Sequence, residues 1–265
     1  LEQGVWSALG YNDVPVTEQR PREVALTGEP LRYSIIMEPT QQNWLYGLHY
    51  ARSMTSGVMH TSDYRLFSPT PLEIEFMYQV NTWTDVEVDS VLSDWRRKTE
   101  TKLPPVDNPE TRQKALDLRA SAGSDEDYVA LVLDTFSREG YVYTLRPGIL
   151  SGPHPIDEFM FQSRRGFCEH YASAFVFMMR AAGVPARVVA GYQGGEINPV
   201  NKTVIVHQFD AHAWAEVWIE EKGWVRVDPT AAVSPQRIEF GLEEAMESEG
   251  SFLDAAPLSP LRYRN

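Results

Sequence analysis

The sequence has one cysteine, and its position could give it chemical work to do. Cys168 follows Gly166-Phe167 at the start of an apolar run, Phe167–Ala182, which closes with Gly183-Val184-Pro185. That ending is a helix stop: a glycine at the C-terminus, then a proline that cannot continue the helix. A thiol in the first turn meets unpaired backbone N–H groups and the positive end of the helix dipole, which favour the thiolate. Cys168, Ala172, Phe175, Met179 and Ala182 recur at helical spacing, so the sulfur lies on the stripe that faces the next layer. A lone cysteine in such a stripe also reads as an inert core residue.

Two further residues change that weighting. The segment His212–Ile219 (HAWAEVWI) alternates as a strand, with Ala213, Ala215, Val217 and Ile219 on one face and His212, Trp214, Glu216 and Trp218 on the other. In the next strand, GWVRVD, Trp224, Arg226 and Asp228 share a face, and Pro229 stops the ladder. A carboxylate on a neighbouring strand can orient an imidazole and stabilise its charge, the third-member role in a nucleophile–base–orienter triad. Direct opposition of His212 and Asp228 needs a hairpin centred on residue 220, whereas Glu221-Lys222-Gly223 centres near 222. A bulge or asymmetric loop is therefore expected. Asp228, at a strand end beside proline, is expected to add little to the core.

Acyl chemistry also needs an oxyanion stabiliser. Gln162, in the loop before the helix (FMFQSRRG), could join the Cys168 backbone N–H in that role, although a loop glutamine beside two arginines also reads as plain surface. The remaining histidines, His49, His60, His154, His170 and His207, show no HxxxH or HExxH spacing, and one cysteine cannot build a Cys-rich zinc site. No metal or cofactor is expected.

These residues need an α+β frame to position them. Upstream of Cys168, Asp85–Lys98, Pro109–Ser121 and Asp125–Glu139 carry helical periodicity, with Asn108-Pro109 as a cap and first-turn proline and Gly140 as a stop. Downstream, Arg187–Tyr192, Thr203–Gln208, His212–Ile219 and Trp224–Asp228 read as strands. Helices followed by antiparallel strands predict a helical layer carrying the cysteine on a sheet carrying the histidine and aspartate. Nearer the N-terminus, Leu31–Glu38, Asn43–Arg52, Tyr64–Phe67 and Leu72–Asn81 predict a small antiparallel unit of about four strands. The expected divisions are 1–84, an extended lead-in with this β unit; 85–232, the core; and 233–265, an acidic tail holding Glu239, Glu243, Glu244, Glu247 and Glu249.

Composition narrows the partners. With 43% apolar residues the chain can bury a core, and a net charge of −13 opposes binding to nucleic acid and to anionic membrane surfaces. No stretch approaches the roughly 18 apolar residues of a membrane span. The first residue is Leu rather than Met, so the sequence reads as a piece of a longer protein.

Taken in order, RRGFCEHYASAFVFMMRAAGVPARVVAGY, DAHAWAEVW and GWVRVDPT, with separations of 44 and 16 residues between Cys168, His212 and Asp228, resemble the transglutaminase core family. The resemblance implies a papain-like α+β fold, with Cys168 as nucleophile, His212 as general base and acid, and Asp228 as orienter. Gln162 matches a papain-like oxyanion position by spacing alone. The implied reaction is acyl transfer from a glutamine carboxamide to an amine through a thioester, on a protein or peptide substrate. The same triad would serve an amidase or protease, or sit in a peptide-binding or structural domain. A slot lined by Trp214, Trp218 or Trp224 would admit an extended lysine and exclude water, and Trp214, next to His212, is the substrate-binding candidate; all three also read as packing residues. The upstream β-and-helix part further resembles bacterial membrane-anchored proteins that carry a periplasmic transglutaminase domain, which implies a membrane-anchored, periplasmic setting.

Overall fold

The chain folds into two compact units, and the computed structural model describes residues 6–7, 13–19, 24, 26–84 and 86–235. The acidic run from Glu239 to Glu249 lies outside the described residues. Among those described, no helix is long and apolar enough to cross a membrane.

One unit holds residues of 7–92 together with 220–224. Its strands are β1 (Leu31–Met37), β2 (Trp44–Leu45), β3 (Tyr50–Ser53), β4 (Met59–His60), β5 (Leu66–Phe67) and β6 (Phe76–Trp83). They form two antiparallel sheets, ordered β1-β6-β3 and β2-β5-β4, over a core of Met37, Leu45, Ala51, Leu66, Leu72, Tyr78 and Val80. Among the described residues six strands thus replace the roughly four expected. The run Asn43–Arg52 is broken because the Tyr78 hydroxyl accepts from the Tyr46 N–H (2.9 Å) and donates to the Tyr46 carbonyl (2.8 Å). Those are the groups a continuous ladder would have used. The last expected strand begins later, at Phe76.

The helix expected over 85–98 is also shorter, α1 (Asp94–Glu100). Ser93 Oγ caps it by accepting from the Arg96 N–H, while Val88 and Leu92 are buried and Asp89 adopts φ 55°. The Val88 carbonyl accepts from the Trp224 N–H (3.0 Å), and the Trp224 indole donates to Asp89 (3.3 Å). Backbone committed to those bonds cannot continue a helix.

The second unit contains Trp6, Ser93–Ile219 and the described residues from Val225 onward. After α1 come α2 (Pro109–Ser121), α3 (Asp125–Arg138), β7 (Val142–Tyr143), α4 (Pro155–Asp157), β8 (Arg165–Gly166) and α5 (Cys168–Ala181). Strands β9 (Ala186–Tyr192), β10 (Glu196–Ile197), β11 (Val204–Ile205), β12 (Ala211–Ile219) and β13 (Gly223–Val227), the last belonging to this unit from Val225 onward, follow. A sheet ordered β13-β12-β9 packs on α5, with Ala186, Ala215, Val217 and Ile219 meeting Phe175, Met178 and Met179 in one core. The expected strand over 203–208 is reduced to β11, paired with β10, because Gln208–Asp210 turns as a 3₁₀ segment.

Helix α5 is buried around most of its circumference, not along a single stripe: Tyr171, Ala172, Ala174, Phe175, Val176, Phe177, Met178 and Met179 are all closed to solvent. It is therefore a central helix. Its end is fixed by Gly183 at φ 80° and by Arg180, which donates to the Ala186 carbonyl (2.7 Å) and pairs with Glu100 (2.7 Å). The expected cap of α2 works differently from a local one. Asn108 sits at φ 50° and its Oδ1 accepts from the Ile156 and Asp157 N–H groups, while the buried Asp157 carboxylate accepts from the Glu110 and Thr111 N–H groups. Each residue caps the other's helix.

Candidate active site

Cys168 occupies the first position of α5 and is 8% exposed. Three local features put it there. The parallel pairing of β7 with β8 sets Tyr143 against Gly166 and fixes the approach to the helix. Gly166 is required by close packing, because a Cβ at that position would stand 2.7 Å from the His170 Cβ. His170 in turn accepts from the Phe167 N–H through Nδ1 (3.4 Å), half of a capping box. Burial, partly offset by Glu169 and the Phe167 backbone, lowers the His170 pKa, which suits a neutral acceptor.

His212 lies on β12 opposite Gly191 of β9 and is buried. Its Nε2 is 2.7 Å from Asp228 Oδ2, with the His212 side chain fully enclosed and that of Asp228 9% exposed. Nδ1 is buried with no hydrogen-bond partner, and Cys168 is, with Asp228, one of the two groups that favour the charged form of this ring. Burial is the largest single influence and works against the charged imidazole. Asp228 and Cys168 together outweigh it, so the His212 pKa is raised above its ordinary value. A buried imidazole held between a carboxylate and a thiol can move a proton to and from the sulfur side while the carboxylate carries the compensating charge.

Asp228 reaches the histidine from one residue beyond the end of β13. The connecting turn, 220–222, is centred on 221, between the two centres weighed from sequence, and a regular ladder about that centre would set residue 230 opposite His212. Asp228 nonetheless meets His212 Nε2 at 2.7 Å through Oδ2. Its other oxygen, Oδ1, accepts from the Thr230 N–H (3.1 Å) and caps the 3₁₀ turn Pro229–Ala232. Asp228 is thus a bonded strand end: its side chain is largely enclosed and engaged on both oxygens.

Gln162 lies not in an irregular loop but in a π-helical turn, Glu158–Ser163, continuing α4, where it is exposed. Trp214 shares the His212 face, with the two rings stacked at 6.3 Å and 23°. Gly191 makes room for it, since a Cβ there would lie 2.7 Å from Trp214 Cη2. Trp218 and Trp224 are buried elsewhere, the first beneath Arg97 and the second against Asp89. Sequence reasoning placed Arg226 on the Asp228 face but gave it no role. Its guanidinium lies over the Trp214 ring (4.3 Å) and 3.6 Å from Asp228 Oδ2. Among the described residues no cluster of three or more His, Cys, Asp or Glu could hold a metal ion.

A central helix with a cysteine at its N-terminus, packed on an antiparallel sheet, is the α+β, papain-like arrangement of the transglutaminase-like superfamily, whose family model matches residues 112–229. Residues 2–88 match the model of the TgpA N-terminal domain. A protein-glutamine gamma-glutamyltransferase of Pseudomonas aeruginosa is 45% identical over 237 residues, covering 89% of this chain and 35% of that protein. The crystal structure of the periplasmic domain of TgpA from Pseudomonas aeruginosa superposes with a TM-score of 0.81 and 43% identity, over 83% of this chain and 76% of that one. The uncharacterized protein YebA of Bacillus subtilis is 40% identical over 79 residues, 28% of this chain and 11% of its own length. The chain belongs to the transglutaminase-like superfamily, in the branch that includes TgpA. It spans about a third of the length of the Pseudomonas transferase.

Proposed function

We propose that the chain is a protein-glutamine gamma-glutamyltransferase domain that works through a thioester on Cys168, with His212 as proton carrier and Asp228 as orienter. The observation that carries this reading is the enclosed His212–Asp228 pair, at 2.7 Å, whose ring is also acted on by the cysteine of a helix N-terminus. In the first half-reaction the Cys168 thiolate attacks the carboxamide carbon of a substrate glutamine. The C–N bond breaks, ammonia leaves with the proton supplied by His212, and an acyl thioester remains. In the second, an amine such as a lysine side chain attacks the thioester, His212 takes the amine proton, and the thiol is released with an amide as product. The Cys168 backbone N–H, with Gln162, is proposed to hold the oxyanion. Trp214 beside His212 is proposed to line the path of the acceptor stem.

The name of the Pseudomonas relative supports this substrate class, and the crystal structure of a periplasmic domain supports a periplasmic location; a membrane anchor elsewhere in the full protein is part of the same proposal. Water in place of the amine would make the same site an amidase or protease. A peptide-binding or structural role would leave the triad without use. The test is incubation with a glutamine donor peptide and a labelled primary amine. Incorporation of label with ammonia release, abolished by Cys168→Ala, is expected. Ammonia and glutamate alone across a wide range of amine concentrations would establish an amidase, backbone cleavage a protease, and no reaction at all a non-catalytic domain.

A further inference from the structure

Arg226 makes three contacts that converge on one geometry. Its guanidinium lies 4.3 Å over the Trp214 ring, Nη2 donates to Gln193 Oε1 at 2.6 Å, and the same Nη2 stands 3.6 Å from Asp228 Oδ2. That oxygen is the one facing His212 Nε2. The last distance exceeds a hydrogen bond, so the coupling of Arg226 to Asp228 is electrostatic. Trp214 is itself held between the His212 ring and the bare backbone of Gly191. A planar cation stacked on an indole and tied to an amide is restricted in a way that a free surface arginine is not.

We propose that Arg226 is a positioning residue: locked by Trp214 and Gln193, it holds the Asp228 carboxylate against His212 and takes up part of its charge. The inference rests on the reading of Asp228 as the orienter of His212. Its consequence is a limit on how tightly the imidazole keeps its proton. A carboxylate with no second cation would stabilise the imidazolium somewhat more, so His212 would hold its proton more tightly; shared with a guanidinium, it lets the ring give the proton up more readily. Among the described residues few charged groups stand near the ring. Asp228 approaches from the end of β13 and Cys168 from α5. On β9 the opposite residue is the uncharged Gly191, and Arg187, further along, is paired with Glu216. The turn after Asp228, Pro229–Ala232, carries no charge.

The test reads the titration of His212 directly, without substrate, in the Cys168→Ala background so that the thiol does not contribute. With ring-labelled histidine, the His212 resonance is assigned by its loss in His212→Gln. Arg226→Gln is expected to move its midpoint upward by about half a pH unit, a roughly threefold change, modest because the Arg226 side chain is 43% exposed. Arg226→Lys, which keeps the charge, should lie between Arg226→Gln and the parent. Gln193→Ala, which loosens the guanidinium without touching the pair, should shift the midpoint the same way by less. A merely structural arginine would lower the unfolding temperature in these variants and leave the midpoint in place; that result, or a downward shift, overturns the proposal. Because the readout needs no turnover, absence of amine transfer in the parent would count against the proposed function alone, and an unmoved midpoint in an active enzyme against Arg226 alone.

Discussion

Replacing Asp228 by asparagine separates its charge from its shape. The amide keeps the size of the side chain, can still accept from the Thr230 N–H and can still meet His212 Nε2, so the cap and the packing survive. What it removes is the ionised partner that offsets the burial of His212. A hydrogen bond to a charged group contributes about 1.5–3 kcal/mol, which corresponds to roughly ten- to 150-fold in turnover. Where the amide also imposes the wrong imidazole tautomer the loss can approach ~10⁴, the cost of the same change in a serine-protease triad. Asp228→Ala should be no more active, and it should also lose the cap and leave a buried ring N–H without an acceptor. Its unfolding temperature is then expected a few degrees below that of the asparagine variant, since about 1 kcal/mol moves the midpoint of a domain of this size by roughly 2–4 °C. The sign of the pH dependence follows from the raised pKa of folded His212. The stabilisation from its proton is complete below the unfolded value of 6.5 and is lost as pH rises through the higher folded value. The parent's advantage in unfolding free energy over Asp228→Asn should therefore be largest near pH 6 and shrink toward pH 9. Amine incorporation and chemical unfolding on the same preparations decide the matter. Full activity in Asp228→Asn, or a stability difference that ignores pH, would refute the reasoning.

Other consequences are as direct. Cys168→Ala should abolish amine transfer yet unfold near the parent temperature, because it deletes one buried sulfur at a helix end; residual transfer in a mass-verified sample would assign the nucleophile elsewhere. Gly191→Ala forces a Cβ to within 2.7 Å of Trp214, so a loss of about 1–3 kcal/mol together with slower turnover is expected, and unchanged near-ultraviolet dichroism would argue that the indole never moved. Asp157→Ala leaves the Glu110 and Thr111 N–H groups unpaired at the start of α2, and thermal unfolding should report a loss of about 2–4 kcal/mol, of which Asp157→Asn recovers only part, because its amide offers one acceptor oxygen where the carboxylate offers two. Transfer is expected to survive exhaustive chelation; its loss, with recovery on adding calcium, would overturn the metal-free mechanism.

The parts of the fold whose causes are local were legible in the sequence. Helix α5 begins and ends where Phe167-Cys168 and Gly183 place it, and α3 starts at its Ser124 cap, because capping and periodicity act within a few residues; α2 keeps its periodic span with Pro109 in the first turn. The alternation along β12 likewise sorted His212 and Trp214 from the core-facing Ala215 and Val217, since a strand's period is two wherever it lies. Three ordered motifs were enough to bring Cys168, His212 and Asp228 forward together. Tertiary structure decided what depends on reach between distant segments. Asp157 caps α2 from 47 residues away, the Tyr78 hydroxyl breaks the run Asn43–Arg52, and Val88 gives its carbonyl to Trp224 where a helix was expected. The offset of Asp228 from His212, and the stack of Arg226 on Trp214 beside it, follow from the length of one turn and the absence of a side chain at Gly191. No local rule sets those distances, because each is the residue of how whole layers pack.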